Sequence, residues 1–494
     1  MNTAPQSLAQ NPVDEQIYRT LPAGLFTIAH PTPVRKPSML ALNRRLLAEL
    51  DVDATWFERD AALAILSGNA RNAVNEPIAM AYAGHQFGHW VPLLGDGRAH
   101  MLGQLSSGNG TAIDVQLKGS GQTEYSRRGD GRATLGSVMR EYLVSEALAG
   151  LGIPTTRSLA IVGTGETVLR ERALPGAILA RTATSHVRIG SFEHAAANLD
   201  ASAVKALADH VIARNFPSIA AATAPYAELL GTVIERQAQL IARWMLVGFI
   251  HGVMNTDNMS IAGETIDFGP CAFMDEFNPR KVFSSIDAHG RYAWDQQAQI
   301  GLWNLTQFAA SLLHLLNDNE SSAVAIAKER LAEFTPRFND AFSTGLALKF
   351  GFARSTPETD ACAKRGLSLL AEDAVDFTVF FDRLTEVLRG GPDDSLRSLF
   401  DRSHGIDEWL RQWQSHELMS KQDSGRMRSA NPALIARNHR VEQAIAAATD
   451  EEDFALFQRL CDALARPFEL AQENLDLGIP PSPEERVTRT FCGT

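Results

Sequence analysis

The sequence predicts an α+β protein in two parts, a strand-rich first part and a larger helical second part. Three observations carry that expectation. Short runs alternating between apolar and polar residues, punctuated by glycine-rich turns, occupy residues 76–190. From about residue 195 the apolar side chains recur at helical spacing instead. At 494 residues the chain also exceeds the ~250–300 residues at which a single core stops growing, so two lobes are expected.

Taken in order, residues 1–75 read as an N-terminal extension packing on the lobes, with an extended opening (PTPVRKPS) and a short helix. The stretch AGHQFGHWVPLLGDGRAHMLGQLSSGNG is rich in glycine, so tight turns and close backbone approach are expected there. AIDVQLKGS, 112–120, alternates and reads as a strand ending in Lys118. ATLGSVMREYLVSEALAGLG, 133–152, sets Leu135, Val138, Met139, Tyr142 and Leu143 on one helical face and stops at glycines. LAIVGTGETVLRER and GAILARTA read as strands around a GTGE turn. Helices are expected over 202–214, 227–250, 296–317, 322–349 and 366–390, and the polar stretch 405–435 reads as a surface loop. The expected divisions are 1–75 for the extension, 76–190 for the first lobe, and 191–494 for the helical lobe with its C-terminal tail.

A formal charge of -12 argues against wholesale binding to nucleic acid or an anionic membrane. Cys271, Cys362, Cys461 and Cys492 lie far apart with no CxxC pair, a pattern that suits neither a zinc site nor a disulfide scaffold and points to a reducing compartment. The opening MNTAPQSLAQNPVDEQ has no basic residue and no apolar core, so it reads as neither a secretory signal nor a transit peptide. The apolar run WMLVGFI, 244–250, is far short of the ~20 residues that span a bilayer. A soluble cytoplasmic protein is expected.

The chemistry gathers in HGVMNTDNMSIAGETIDFG, 251–269. In kinase-like enzymes the corresponding segment has an Asp two residues after the His as base, an Asn five residues later, and an Asp-Phe-Gly whose Asp holds the metal. Here Asn258 and Asp267-Phe268-Gly269 stand in place, but Val253 occupies the base position and accepts no proton. The other parts of a kinase-like site occur in the expected order. Lys118 supplies a point charge for phosphate, Glu141 on the following helix is its expected partner with Glu146 as the competitor, and Asn258 and Asp267 are hard oxygen ligands suited to magnesium. Between 118 and 188 ten basic residues face six acidic ones, so a net +4 segment sits inside an acidic chain and marks a local anion site. Arg181 and Arg188 reach one ligand if the turn between them is compact. GDGR, at 95–98 and 129–132, reads either as a turn or as a ligand loop, and Asp257 as either a capping or a functional residue. His85 and His89 have no metal-ligand partner and are expected to be structural.

The motifs AGHQFG, LGDGRA, LKGSGQTEYSRRGDGRA, REYLVSEALAGLGIPTTRSLA, LPGAILARTATSHVRIGSFE, HGVMNTDNMSIAGETIDFGPCAFMD and NPALIARNHRVE together resemble the selenoprotein O family, kinase-fold protein adenylyltransferases once regarded as pseudokinases. The resemblance runs from about residue 75 to the C-terminus. It implies that ATP lies reversed relative to ordinary kinases, so that AMP passes to a protein Ser, Thr or Tyr hydroxyl and pyrophosphate leaves, with Mg2+ or Mn2+ as cofactor. It further implies Asp257 as base, Asn258 and Asp267 as metal ligands, and Lys118 paired with Glu141. The nucleotide contacts it implies are Gly95, Gly97, Arg98, Asp130, Gly131, Arg181 and Arg188. The rival readings are a conventional phosphotransferase and a non-catalytic ATP-binding scaffold. Many relatives carry selenocysteine near the C-terminus, where this chain has Cys492, a tail thiol placed to remain free or to bridge reversibly, with Cys271 as a candidate partner.

Overall fold

In the computed structural model, which describes residues 12–15, 17–70, 76–401, 403–416 and 424–491, an antiparallel sheet is followed by an extended helical array. The fold is α+β. The sheet runs Phe26–Ile28, Ile78–Met80, Ala99–Ser106, Ala112–Lys118, Ala173–Ala183, Arg157–Leu169 and Ser38–Leu42 from edge to edge. Off this path, Val13–Glu15 pairs with Ala99–Ser106, and Ala133–Thr134 with Ala173–Ala183.

Strand alternation gives this sheet two apolar faces. Ile113, Val115, Leu117, Ile178 and Ala180 point to one side, where Leu46, Leu47, Trp56, Phe57 and Leu66 from the short helices of the N-terminal segment cover them. Ala177 and Leu179 point to the other, onto the helix Leu135–Gly150. Thr134 caps that helix by accepting from the Ser137 amide, and Val138, Met139, Tyr142 and Leu143 are buried along it as their spacing requires. Its outer flank is covered by the C-terminal helices Asn438–Asp450 and Ala455–Leu464, with the Tyr142 and Phe457 rings 5.4 Å apart.

Two expected turns and loops fold differently. The GTGE stretch is not a turn: the strand continues to Leu169, and the chain reverses over residues 170–172. Gly165, at φ +67°, sits instead where the ladder slips register between Gly163 and Thr167, so the glycines make an irregularity within a hairpin. The stretch 405–435 is not a plain loop, for Ser403–Gln414 and Ser424–Ala430 are helices. Its charges mask Ile406, Trp409, Leu410 and Trp413, which share one helical face and are buried. The long helical patterns 322–349 and 366–390 each break once, giving Glu320–Ala332 and Phe334–Lys349, then Pro357–Glu372 and Phe377–Leu388. No helix among the described residues is long and apolar enough to cross a membrane.

A buried arginine ties the helical array to the segment that follows Asp-Phe-Gly. Arg437, 1% exposed, donates to Asp275 at 2.6 Å, to Asp376 at 2.9 and 3.2 Å, and to the Gly478 carbonyl at 2.9 Å. Removing one partner of a buried ionic cluster leaves the others uncompensated. Arg437→Met is therefore expected to cost about 3–5 kcal/mol, read as a lower thermal unfolding midpoint; an unchanged midpoint would show that the two aspartates do not need it.

Candidate active site

The sheet and the helical array meet at a cleft of about 1220 Å³. Lys118 enters it from the end of its strand, and Gln116, two residues earlier, projects on the same side. Arg181 lies directly across from Gln116 on the neighbouring strand and donates two hydrogen bonds to its side-chain oxygen, at 2.9 and 2.7 Å. The Lys118 ammonium bonds Glu141 at 2.6 Å and Asp267 at 2.8 Å. Arg181 bonds the same two carboxylates, at 3.0 and 2.8 Å. Arg188, at the N-terminus of the helix Ile189–Asn198, bonds the second oxygen of Asp267 and the Asp257 carbonyl while lying 4.9 Å over the Tyr82 ring.

Arg181 and Arg188 thus converge on one carboxylate, as a compact turn between them requires. Lys118 chooses Glu141 over Glu146. Glu146 faces the other side of its helix, where it holds Arg157 at 2.9 and 2.8 Å and the Ser158 amide at 3.0 Å.

Three cations therefore share two carboxylates in a site where Arg181 is 2% exposed. Burial disfavours ionisation of Asp267, yet Arg188, Lys118 and Arg181 together hold its carboxyl well below the usual carboxylate range. The surplus of positive charge is the complement of a polyphosphate. Asp267 itself adopts φ +64°, a conformation uncommon outside glycine that persists only where the surroundings enforce it.

The segment leading to Asp267 is built around His251, which is fully buried and bonds the Ile266 carbonyl through Nε2 at 2.9 Å. Val253 is buried beside it, and its carbonyl accepts from the Asn258 amide nitrogen at 3.0 Å. That bond engages the side-chain nitrogen of Asn258, which lines the cleft. Asp257 lies on the short 3-10 turn Thr256–Asn258 and lines the cleft with a buried carboxyl. Burial pushes that carboxyl up to about 6, with Arg188 and the Gln86 amide pulling it down.

Gly95, Gly97, Arg98 and Gly131 also line the cleft. A side chain at Gly131, φ +68°, would meet the Gly121 backbone at 2.1 Å, so the second GDGR is a packed loop that only glycine permits. Asp130 stands at the mouth, half exposed, and pairs with Arg170 at 2.8 and 3.0 Å. Gln116, Tyr82 and Gln86 were not among the residues singled out from sequence, and Arg170 entered only as one of the ten basic residues of 118–188; for Gln116 the period-2 spacing to Lys118 is the signal that points to it. No cluster of three potential metal-ligating side chains occurs among the described residues. Cys271 is fully buried and its thiol donates to the Phe268 carbonyl, 3.3 Å away. Cys492 lies outside the described residues; Thr490, two residues before it, donates to the Pro270 carbonyl at 2.5 Å.

The family model described as protein adenylyltransferase SelO matches residues 14–465. A protein named protein nucleotidyltransferase YdiU from a Bradyrhizobium species is 50% identical, over 97% of this chain and 98% of its own. The protein of that name from Rhodopseudomonas palustris is 50% identical over the same shares, and that from Shewanella denitrificans is 48% identical over the full length of both. With the matched region spanning the sheet, the cleft and the helical array, the chain belongs to the SelO family of protein adenylyltransferases.

Proposed function

We propose that residues 76–190 and 191–494 act as the two lobes of a kinase-like fold, with 1–75 packed on them, and that Asp257 is the base of the reaction. The chain is a protein adenylyltransferase, which uses ATP to place AMP on protein substrates. One observation supports the assignment of roles best. A buried carboxyl, Asp257, opens on the same cleft as the cation cluster, while the position of a kinase base holds the buried, apolar Val253.

On this reading Lys118, Arg181 and Arg188 receive the polyphosphate, and Glu141 keeps Lys118 in place. Gly95, Gly97 and Gly131 let the nucleotide approach the backbone, Arg98 adds a guanidinium, and Asp130 acts at the mouth. With the α-phosphate toward the acceptor, the Asp257 carboxylate takes the proton of a Ser, Thr or Tyr hydroxyl. The hydroxyl oxygen forms its bond to the α-phosphorus as the bond to the leaving pyrophosphate breaks. Charge developing on pyrophosphate is met by the two arginines and the lysine, which are already oriented and largely shielded from water.

The residues present fit a divalent cation. The Asn258 amide oxygen and the Asp267 carboxylate are hard donors on one cleft, and one or two protein ligands completed by phosphate oxygens and water is the usual arrangement for Mg2+. Bound there, Mg2+ or Mn2+ would neutralise phosphate charge and help align the reacting groups. The formal charge of -12 supports protein acceptors over nucleic acid or an anionic membrane.

Label should pass to protein from the α-phosphate or adenine of ATP and not from the γ-phosphate, with mass spectrometry finding an added AMP on Ser, Thr or Tyr. Transfer of γ-label alone would identify a phosphotransferase, and tight ATP binding with neither label transferred would identify a scaffold. Asp267→Ala is expected to abolish transfer, and Asp257→Asn to lower turnover by about 10²–10⁴-fold while ATP still binds. Val253→Asp should not produce a kinase, because nucleotide orientation selects the phosphorus attacked.

Lys118→Ala should weaken nucleotide binding or turnover at least ~10-fold, a loss of one charge-assisted phosphate contact. Glu146→Ala, which faces Arg157, should leave the ATP affinity near that of the parent. A titration in which Glu146→Ala proved more damaging than Glu141→Ala would refute the proposed pairing.

A further inference from the structure

The segment GHQFGHW is absorbed by none of these roles. Its strands Gly84–Gln86 and His89–Val91 pair only with each other, outside the large sheet. The turn between them is Phe87–Gly88, with both residues left-handed at φ +52° and +84°. Left-handed geometry at both central positions matches the twist of a two-residue hairpin, but a phenylalanine rarely adopts it. Strands of three residues do not sustain a hairpin alone. The fold must therefore be holding this one from outside.

The restraints come from the catalytic segment and its neighbours. The His85 amide donates to the Thr256 hydroxyl at 2.7 Å, and the Phe87 amide to the Asn255 side-chain oxygen at 3.0 Å. The His85 ring meets the buried Glu193 carboxylate at 2.6 Å. These contacts bracket Asp257: its two predecessors in the chain grip the two residues flanking Gln86. The hairpin is registered on the base to within a hydrogen bond.

Between those anchors, Gln86 enters the cleft and its Nε2 donates to Asp257 Oδ2 at 3.3 Å. The other carboxylate oxygen, Oδ1, is buried, accepts no hydrogen bond from the described residues, and rests against Gly84, where an added Cβ would fall 2.7 Å from it. One oxygen is thus boxed in by backbone and the other is held by an amide. The carboxylate plane has little freedom to rotate.

We propose that Gln86, presented by this hairpin, is a positioning residue that fixes the Asp257 carboxylate for the acceptor hydroxyl. The proposal rests on Asp257 being the base. Gln86 neither takes nor gives the transferred proton. It keeps Oδ2 turned toward the cleft, where the acceptor arrives, so that no rotation has to be completed before proton transfer. A residue acting this way lowers kcat when lost and leaves ATP binding alone, because its partner is the base and not the cation cluster.

A mutant cycle on the full-length protein tests it. Gln86→Met keeps the reach of the side chain and removes the donor; Gln86→Glu keeps the shape and sets a second carboxylate beside Asp257. With α-labelled ATP and a protein acceptor, Gln86→Met is expected to lower kcat about 10–100-fold, the scale of a misplaced reacting group. Gln86→Glu should lose at least as much, with the KM for ATP within about twofold of the parent in both. In the Asp257→Asn background, Gln86→Met should change the residual rate by less than about twofold, since two residues acting through one step are not additive. Full turnover by Gln86→Met alongside an impaired Asp257→Asn would overturn the positioning role and leave the base intact. Full turnover by Asp257→Asn would overturn both. Equal losses from Gln86→Met with and without Asp257 would also refute the proposal, assigning Gln86 an independent role. Should Gln86→Met lower the unfolding midpoint, Gln86→Asn, too short to reach Oδ2, carries the same cycle.

Discussion

The site depends on a single carboxylate held by three cations. Asp267 receives Lys118 from one strand, Arg181 from the next and Arg188 from the start of a helix, and it sits in the segment leading into the helical array. Burying that much charge is unfavourable unless each group finds its partners, which is why Glu141 and Gln116 are also drawn in. The arrangement links the strand-rich and helical portions through charge, where apolar packing alone would specify distance and leave orientation loose. Any ligand entering the cleft meets groups whose positions are already determined.

Much of this was legible in the sequence because it is carried by order and spacing. A lysine at a strand end, a glutamate about two turns into the next helix, two arginines seven residues apart and an Asn…Asp-Phe-Gly segment define a constellation before any coordinate is known, and Lys118, Glu141, Arg181, Arg188 and Asp267 do converge. What was not legible is carried by three-dimensional juxtaposition. Gln86 lies 171 residues from Asp257, and nothing local distinguishes its amide from a solvated one. His85, read as structural from lack of a metal partner, does bond within the protein, but its partner Glu193 is 108 residues away.

The misread elements have physical causes too. Glycine density suggested a turn at GTGE, whereas long cross-strand pairing on both sides carries the strand through it with one slip of register. Charge density suggested a loop across 405–435, whereas four apolar residues at helical spacing suffice to fold its first half into a helix with two buried tryptophans. Local composition weighs every residue equally. Burial does not.

The helix that carries Glu141 leans on the far end of the chain. Arg140, beside Glu141, reaches Glu442 at 2.9 Å and the Cys271 carbonyl at 2.8 Å, and Tyr142 packs on Phe457. The first of these pairs is separated by 302 residues. At synthesis rates of roughly 5–20 residues per second, about 15–60 s pass between the emergence of Glu141 and that of the segment that steadies its helix. A nascent chain therefore carries Lys118 long before the helix that holds its partner Glu141 is braced.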